Sequence, residues 1–235
     1  MTCRLISNNF KSFNMRFTAF KFRALAACLA FVGTAAAQTA GTVMLKGGYN
    51  QFHPQVKSGD ITGVPGAQVG VGKAGNAFGA LDYMLTNNVS TELAFGVPPK
   101  HDIHGSGLLF GVRKIASSDI LPATLSIKYR FLDAQSTLRP FVGLGIVRAV
   151  FRNSQGDPTL TALTNPSGPQ TAISIDAVWG VAAQIGASYA LSDRWFIEGA
   201  IAPSFIKTTA RLSTGQTVDL KINPVGVNLA IGYRF

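Results

Sequence analysis

With 235 residues, a net charge of +10 and a positive mean hydropathy, the chain could at first pass for a nucleic-acid binder. Two features exclude that: its opening segment reads as a secretion signal, and its later basic residues are scattered rather than gathered into a phosphate-tracking stripe. No later run is long and apolar enough to span a membrane as a helix.

The first segment stands apart from the fold. Residues 1–23 carry Arg4, Lys11, Arg16, Lys21 and Arg23 and no acid, and Ala24 to Val32 is a short apolar run. Ala35-Ala36-Ala37 then offers a small-residue cleavage site before Gln38. We therefore expect a cleaved signal peptide over 1–37 and a mature domain over 38–235, with Met15 an alternative start. Leu25-Ala26-Ala27-Cys28 resembles a lipoprotein box, but Lys21 and Arg23 stand close before it, where an apolar run belongs. Cleavage removes five basic residues and both cysteines, Cys3 and Cys28. The mature charge is then about +5, and no disulfide or thiol chemistry remains.

From Gln38 onward the dominant signal is period 2, the mark of strands with one apolar face. Strand one is expected over about 42–50, with Val43, Leu45 and Tyr49 outward and Lys46 inward. A loop over 51–75 leads to strand two, 76–85, with Leu81, Tyr83 and Leu85 out and Asp82 in. The tight turn at Asn87-Asn88 leads to strand three, 89–97: Val89, Leu93 and Phe95 out, Glu92 and Ala94 in. A loop over 98–120 precedes strand four, 121–131, with Leu125, Ile127, Tyr129 and Phe131 out and Ser126, Lys128 and Arg130 in. Strand five, 139–153, points Val142, Leu144 and Ile146 to lipid, and Arg148 falls on the same parity.

A third loop, 154–173, is rich in Pro, Gly, Thr and Asn. Strand six ends at Leu191, strand seven covers about 195–211, and a short loop near 213–216 leads to strand eight. The last eleven residues alternate without a fault from Val225 to Phe235. Tyr83, Tyr129, Tyr189 and Tyr233 each close a strand in the same way, followed two residues later by Leu or Phe. Four strands that end alike imply four running the other way between them. The expected fold is all-β: an eight-stranded antiparallel transmembrane β-barrel of the outer-membrane type.

Long connections alternate with short ones, which places the short turns and both termini in the periplasm. Tyr83, Tyr129, Tyr189, Trp195 and Tyr233 would then form a periplasmic aromatic girdle, and Tyr49, Phe95, Trp179 and Phe205 the outer one. A soluble barrel would show the opposite polarity, apolar inward and polar outward.

Several ordered stretches carry a resemblance. They are Asp82-Tyr83-Met84, Asn88 through Glu92-Leu93, and Pro98-Pro99-Lys100-His101-Asp102-Ile103. Leu121-Pro122-Ala123-Thr124-Leu125, Arg139 through Gly145, Trp179-Gly180, Gln184-Ile185-Gly186 and the Gly232-Tyr233-Arg234-Phe235 ending follow. Together they resemble the OmpW family of small outer-membrane proteins, which includes an alkane-import protein. The resemblance implies an eight-stranded barrel that passes small hydrophobic molecules across the outer membrane. Ala94 departs from it: the family pattern carries a larger apolar residue at this inward site.

Eight strands enclose little more than their own side chains. The inward set Lys46, Asp82, Glu92, Lys128, Arg130, Glu198 and Arg234 is expected to pair into a salt-bridged plug rather than line an open pore. His53, His101 and His104 all fall in expected loops, so catalysis, a cofactor and a metal site are not expected. The expected hydrophobic pathway runs past Leu108, Leu109 and Phe110 in a loop, then past Ala94 and Trp179. Tyr233 and Phe235 resemble the terminal signal read by barrel-assembly machinery. The expected partners are that machinery, outer-membrane lipids and lipopolysaccharide, and small hydrophobic solutes, with no nucleic acid and a monomer or weak oligomer. The competing function is a non-transporting structural or adhesion barrel, like OmpA or OmpX.

Overall fold

A computed structural model describes residues 38–235. The expected leader over 1–37, with Cys3, Cys28 and the alternative start at Met15, lies outside the described residues. In chain order the first half holds β1 (Val43–His53), β2 (Val56–Ser58), β3 (Ala67–Val71), β4 (Ala74–Met84), β5 (Val89–Gly96), β6 (Lys100–Gly107) and β7 (Ala116–Arg130). The second half holds β8 (Leu138–Gly156), the helix α1 (Pro158–Thr164), β9 (Ile173–Ile175), β10 (Val178–Ala190), β11 (Trp195–Leu212), β12 (Thr217–Ile222) and β13 (Val225–Arg234).

Eight of these strands close a barrel in the order β1, β4, β5, β7, β8, β10, β11, β13, every neighbour antiparallel. The seam is β1 against β13, running from Met44 opposite Arg234 to His53 opposite Val225. Closure leaves no free edge in the hydrocarbon, where an unpaired backbone group would be costly. The lipid face is the parity expected from the sequence. Leu81, Leu93, Ile127, Leu144, Ile185, Ile201 and Leu229 are all exposed. Tyr83, Tyr129, Tyr189 and Trp195 ring the lower rim and Tyr49, Phe95, Trp179 and Phe205 the upper, all exposed. Tyr233 completes the lower ring, edge-on to Trp195 at 5.0 Å between ring centroids and to Phe235 at 4.9 Å.

The long connections differ from expectation. The stretches read as loops over 51–75, 98–120 and 154–173 contain β2, β3, β6, the start of β7, α1 and the first residue of β9. β12 and β2 extend the sheet from the upper half of β11, which β9 joins at its top, and β3 pairs β6. Strand eight is interrupted at Asn223-Pro224, where a proline supplies no ladder donor. These pieces form a crown around its own apolar core of Ile61, Val69, Ile115, Leu160, Leu212, Val218 and Leu220.

The crown inverts the polarity of the strands that carry it. On β11 the inward parity holds Glu198 low in the barrel and Ile206 and Leu212 above. On β8 it holds Arg139 below and Val147 and Ala149 above. Lipid surrounds the lower half, so its apolar side chains face out; water surrounds the upper half, so they face in.

Candidate functional site

The lumen has a floor. Lys46 on β1, Asp82 on β4, Glu92 on β5, Lys128 and Arg130 on β7 and Glu198 on β11 project inward at one level. Period 2 delivers each of them, since each lies on the parity opposite the lipid-facing residues of its strand. Lys46 Nζ lies 2.8 Å from Asp82 and 2.6 Å from Glu198, and also meets Glu92. Lys128 Nζ lies 2.5 Å from Glu92 and 2.9 Å from Glu198. Arg130 reaches Asp82 and Glu198, each at 3.2 Å. Three cations therefore balance three carboxylates, all buried. Gln184 Nε2 extends the net, donating to Ser126 Oγ at 2.9 Å and to Glu92 Oε1 at 3.3 Å.

Beneath this layer the barrel is solid. Met44, Met84 and Phe196 pack together, and Phe141 lies under the Lys128 ammonium, 4.5 Å from ring centre to Nζ. Inward glycines make room for the two rings. A Cβ at Gly232 would sit 2.2 Å from Phe196, and one at Gly186 2.7 Å from Phe141. Arg234, expected in the charge layer, instead stacks on Phe196 at 5.1 Å and donates to the Asp193 carbonyl.

One residue to which the sequence reading gave no role closes the bottom. Arg139 is 1% exposed. Its guanidinium donates to the carbonyls of Asn87 (2.8 Å), Leu132 (3.2 Å), Phe131 (3.3 Å) and Gln38 (3.3 Å), and to Gln38 Oε1 (3.1 Å). It ties two periplasmic turns to the start of the described chain.

Above the floor lies a cavity that opens upward. Its base is Lys46, Glu92, Glu198 and Gln184, while Phe78, Ile120, Val147, Phe151, Ile206 and Ile222 give it apolar walls. Phe151 and Ile222 also belong to the crown's core, so apolar surface continues from crown to cavity. Ala94 lines the cavity. Trp179 does not: it is exposed on the outer face, stacked under Arg148 at 5.1 Å. Leu108 and Phe110 are exposed at the tip of a crown turn, and Leu109 packs against the crown's core.

The wall beside Ala94 has a fault. β4 and β5 pair up to Phe78 opposite Gly96, with one further bond from Val97 N–H to Ala77 O at 3.0 Å. Pairing resumes only at Gly72 N–H to Asp102 O, 2.8 Å. Between them stand Pro98 and Pro99, neither of which has an N–H to give. Both chains also change face here. Buried residues are even-numbered in β4 (Asn76, Ala80, Asp82) and odd-numbered in β3 (Val69, Val71). Asn76 Nδ2 bridges the lower end of the fault to Val97 O at 2.7 Å. The His101 ring pairs with Gly72 O at 2.9 Å at the upper end. Asn76, Phe95, Gly96 and His101 line the cavity as well, so the cavity reaches the fault.

His101 is therefore a buried strand residue rather than a loop residue. His104 falls on the opposite parity of β6, and Asp102 pairs with Lys114 at 3.2 Å, so the three do not converge. Burial lowers the His101 pKa from its usual 6.5, against smaller raising effects from the Gly72 carbonyl and Asp119. The neutral ring donates from Nδ1 to Gly72. An NMR titration should give a midpoint below 6.5. Because the folded pKa is the lower one, this site's stability is complete above about 6.5 and declines as pH falls towards the folded value. A midpoint at or above 6.5 would contradict the buried placement. Among the described residues the one convergent acidic group is Asp82, Glu92 and Glu198, and lysine and arginine already occupy its centre.

Comparisons with known proteins agree with this architecture. The family model described as "OmpW family" matches residues 39–235. Outer membrane protein W of Vibrio cholerae is 34% identical over 161 residues, 66% of this chain and 71% of its own length. Outer membrane protein AlkL of Ectopseudomonas oleovorans is 23% identical over 73% of this chain and 71% of its own. The crystal structure of OprG from Pseudomonas aeruginosa superposes with a TM-score of 0.76 at 24% identity, covering 86% of this chain and 99% of that one. With the family match spanning nearly the whole described barrel, the chain belongs to the OmpW family of outer-membrane β-barrel proteins.

Proposed function

We propose that this barrel passes small apolar molecules inward from the cell surface and releases them sideways into the membrane. The observation that carries the reading is an apolar-walled cavity over a sealed, charge-balanced floor, reaching the wall where the strand ladder is interrupted. An apolar solute gains nothing from Lys46, Glu92 and Glu198, and no axial route lies below them. A route through the fault at 97–101 keeps it against Phe78, Ala94 and Phe95. The exposed Leu108 and Phe110 offer it a first contact above.

Ala94→Arg should slow uptake of a hydrophobic dye by about tenfold at matched barrel levels, because it fills the cavity with a charge beside the fault. Replacing Pro98 and Pro99 by valine, which returns a backbone N–H to each position, should slow it too. Equal uptake by cells with and without the wild-type barrel, over several apolar compounds, would leave the non-transporting structural role standing instead.

Assembly belongs to the same proposal. Phe235 N–H donates to Val43 O at 2.9 Å, so the terminal residue helps close the seam, and its ring joins the lower girdle. Deleting Phe235 should reduce heat-modifiable folded barrel more than Phe235→Tyr does. Unchanged folded protein in the deletion strain would refute an assembly role.

A further inference from the structure

The outer face of the crown carries a row of like charges. Lys207 on β11 stands directly opposite Lys221 on β12, and Lys221 directly opposite Lys57 on β2. All three are exposed. Like charges directly opposite on neighbouring strands repel. Among the described residues none of the three makes a side-chain hydrogen bond or an ion pair to offset this. The nearest acid along β12, Asp219, accepts a hydrogen bond from Thr209 Oγ1 at 2.7 Å, and Arg211 higher on β11 pairs with Asp176.

Height gives the row its meaning. Lys207 is two residues above Phe205 on the same face, and Phe205 belongs to the upper aromatic girdle. Lys207 thus lies about 7 Å along its strand above Phe205, on the headgroup side of the girdle. On the other side, β10 sets Val181 opposite Phe205, so Trp179 stands two residues up just as Lys207 does. Trp179 is opposite Arg148, whose guanidinium stacks on it. The line of facing residues therefore runs from Arg148 and Trp179 at the upper girdle through Lys207 to Lys221 and Lys57, above the hydrocarbon.

We infer that the Lys57–Lys207–Lys221 ladder is a seat for the phosphate groups of a phosphorylated glycolipid in the outer leaflet. Three ammonium groups across two strand spacings span about 10 Å. A phosphate bearing close to two negative charges relieves their repulsion and accepts from more than one of them. The acyl chains of the same lipid then lie along Phe205, Val181 and Ile201 below. A free anion has no use for that apolar surface.

The test uses the purified full-length barrel in detergent and diphosphoryl lipid A, with binding read by native mass spectrometry. Wild type should bind it, and K57Q/K207Q/K221Q should bind at least tenfold more weakly, with unchanged heat-modifiable mobility. The triple arginine variant should keep binding, and the fully dephosphorylated lipid should bind weakly to every form. If the glutamine triple variant misfolds, K207Q alone should still weaken binding measurably. Equal binding by wild type and the glutamine variants would overturn the inference. So would displacement of the lipid by excess inorganic phosphate, which would make the row a simple anion site.

Discussion

Glu198→Gln is expected to destabilise the folded barrel by about 3–5 kcal/mol, the usual result of stripping one partner from a buried ion network. Glu198, like Asp82, pairs with Lys46, Lys128 and Arg130, and its contacts to the two lysines are 2.6 and 2.9 Å. The amide keeps its shape but leaves a net buried charge of one. Urea titration of the heat-modifiable form in vesicles reads the loss. Adding Lys128→Met restores balance, leaving Lys46 and Arg130 against Asp82 and Glu92, and should recover most of it. If Glu198→Gln alone matches wild type, the floor is not held by charge balance.

Arg139→Met should cost about 2–4 kcal/mol, because it leaves several buried carbonyls without donors while keeping the length of the side chain. Arg139→Lys should lie between, since one ammonium cannot reproduce a planar fork spread over Gln38, Asn87, Phe131 and Leu132. The loss should be local as well as global: protease added on the periplasmic side should cut between 132 and 138 faster in the Met variant. Unchanged cutting and unchanged urea midpoint together would remove Arg139 from this role.

The barrel was legible in the sequence because lipid imposes one rule on every strand it touches. Leu81, Leu93, Ile127, Leu144 and Leu229 keep a strict alternation, and Lys46, Glu92, Lys128 and Glu198 stand out against it. The crown was not legible, because the inward parity turns apolar once water replaces lipid outside. Its strands β2, β3 and β9 are also only three to five residues long, too short for a period to register. Trp179 cannot serve both the outer girdle and the pathway, and its outward parity keeps it on the girdle. Arg139 partners backbone carbonyls, which no side-chain pattern announces. The ladder fault was readable: two successive prolines cannot donate within a sheet, and Pro98-Pro99 served only as part of a resemblance.

The charge layer also keeps time. Its members reach the nascent chain in the order Lys46, Asp82, Glu92, Lys128, Arg130, Glu198, so a chain built only through β7 holds three cations against two anions. That half-barrel would show lipid an unbalanced charge on a face meant to be interior, and balance waits for β11. The seam needs β13, later still. Stopping after β7 is therefore unfavourable, and the last fifth of the described chain makes the earlier strands safe to insert. Assembly that holds strands until the C-terminal end arrives, then closes them together, is the course this arrangement favours.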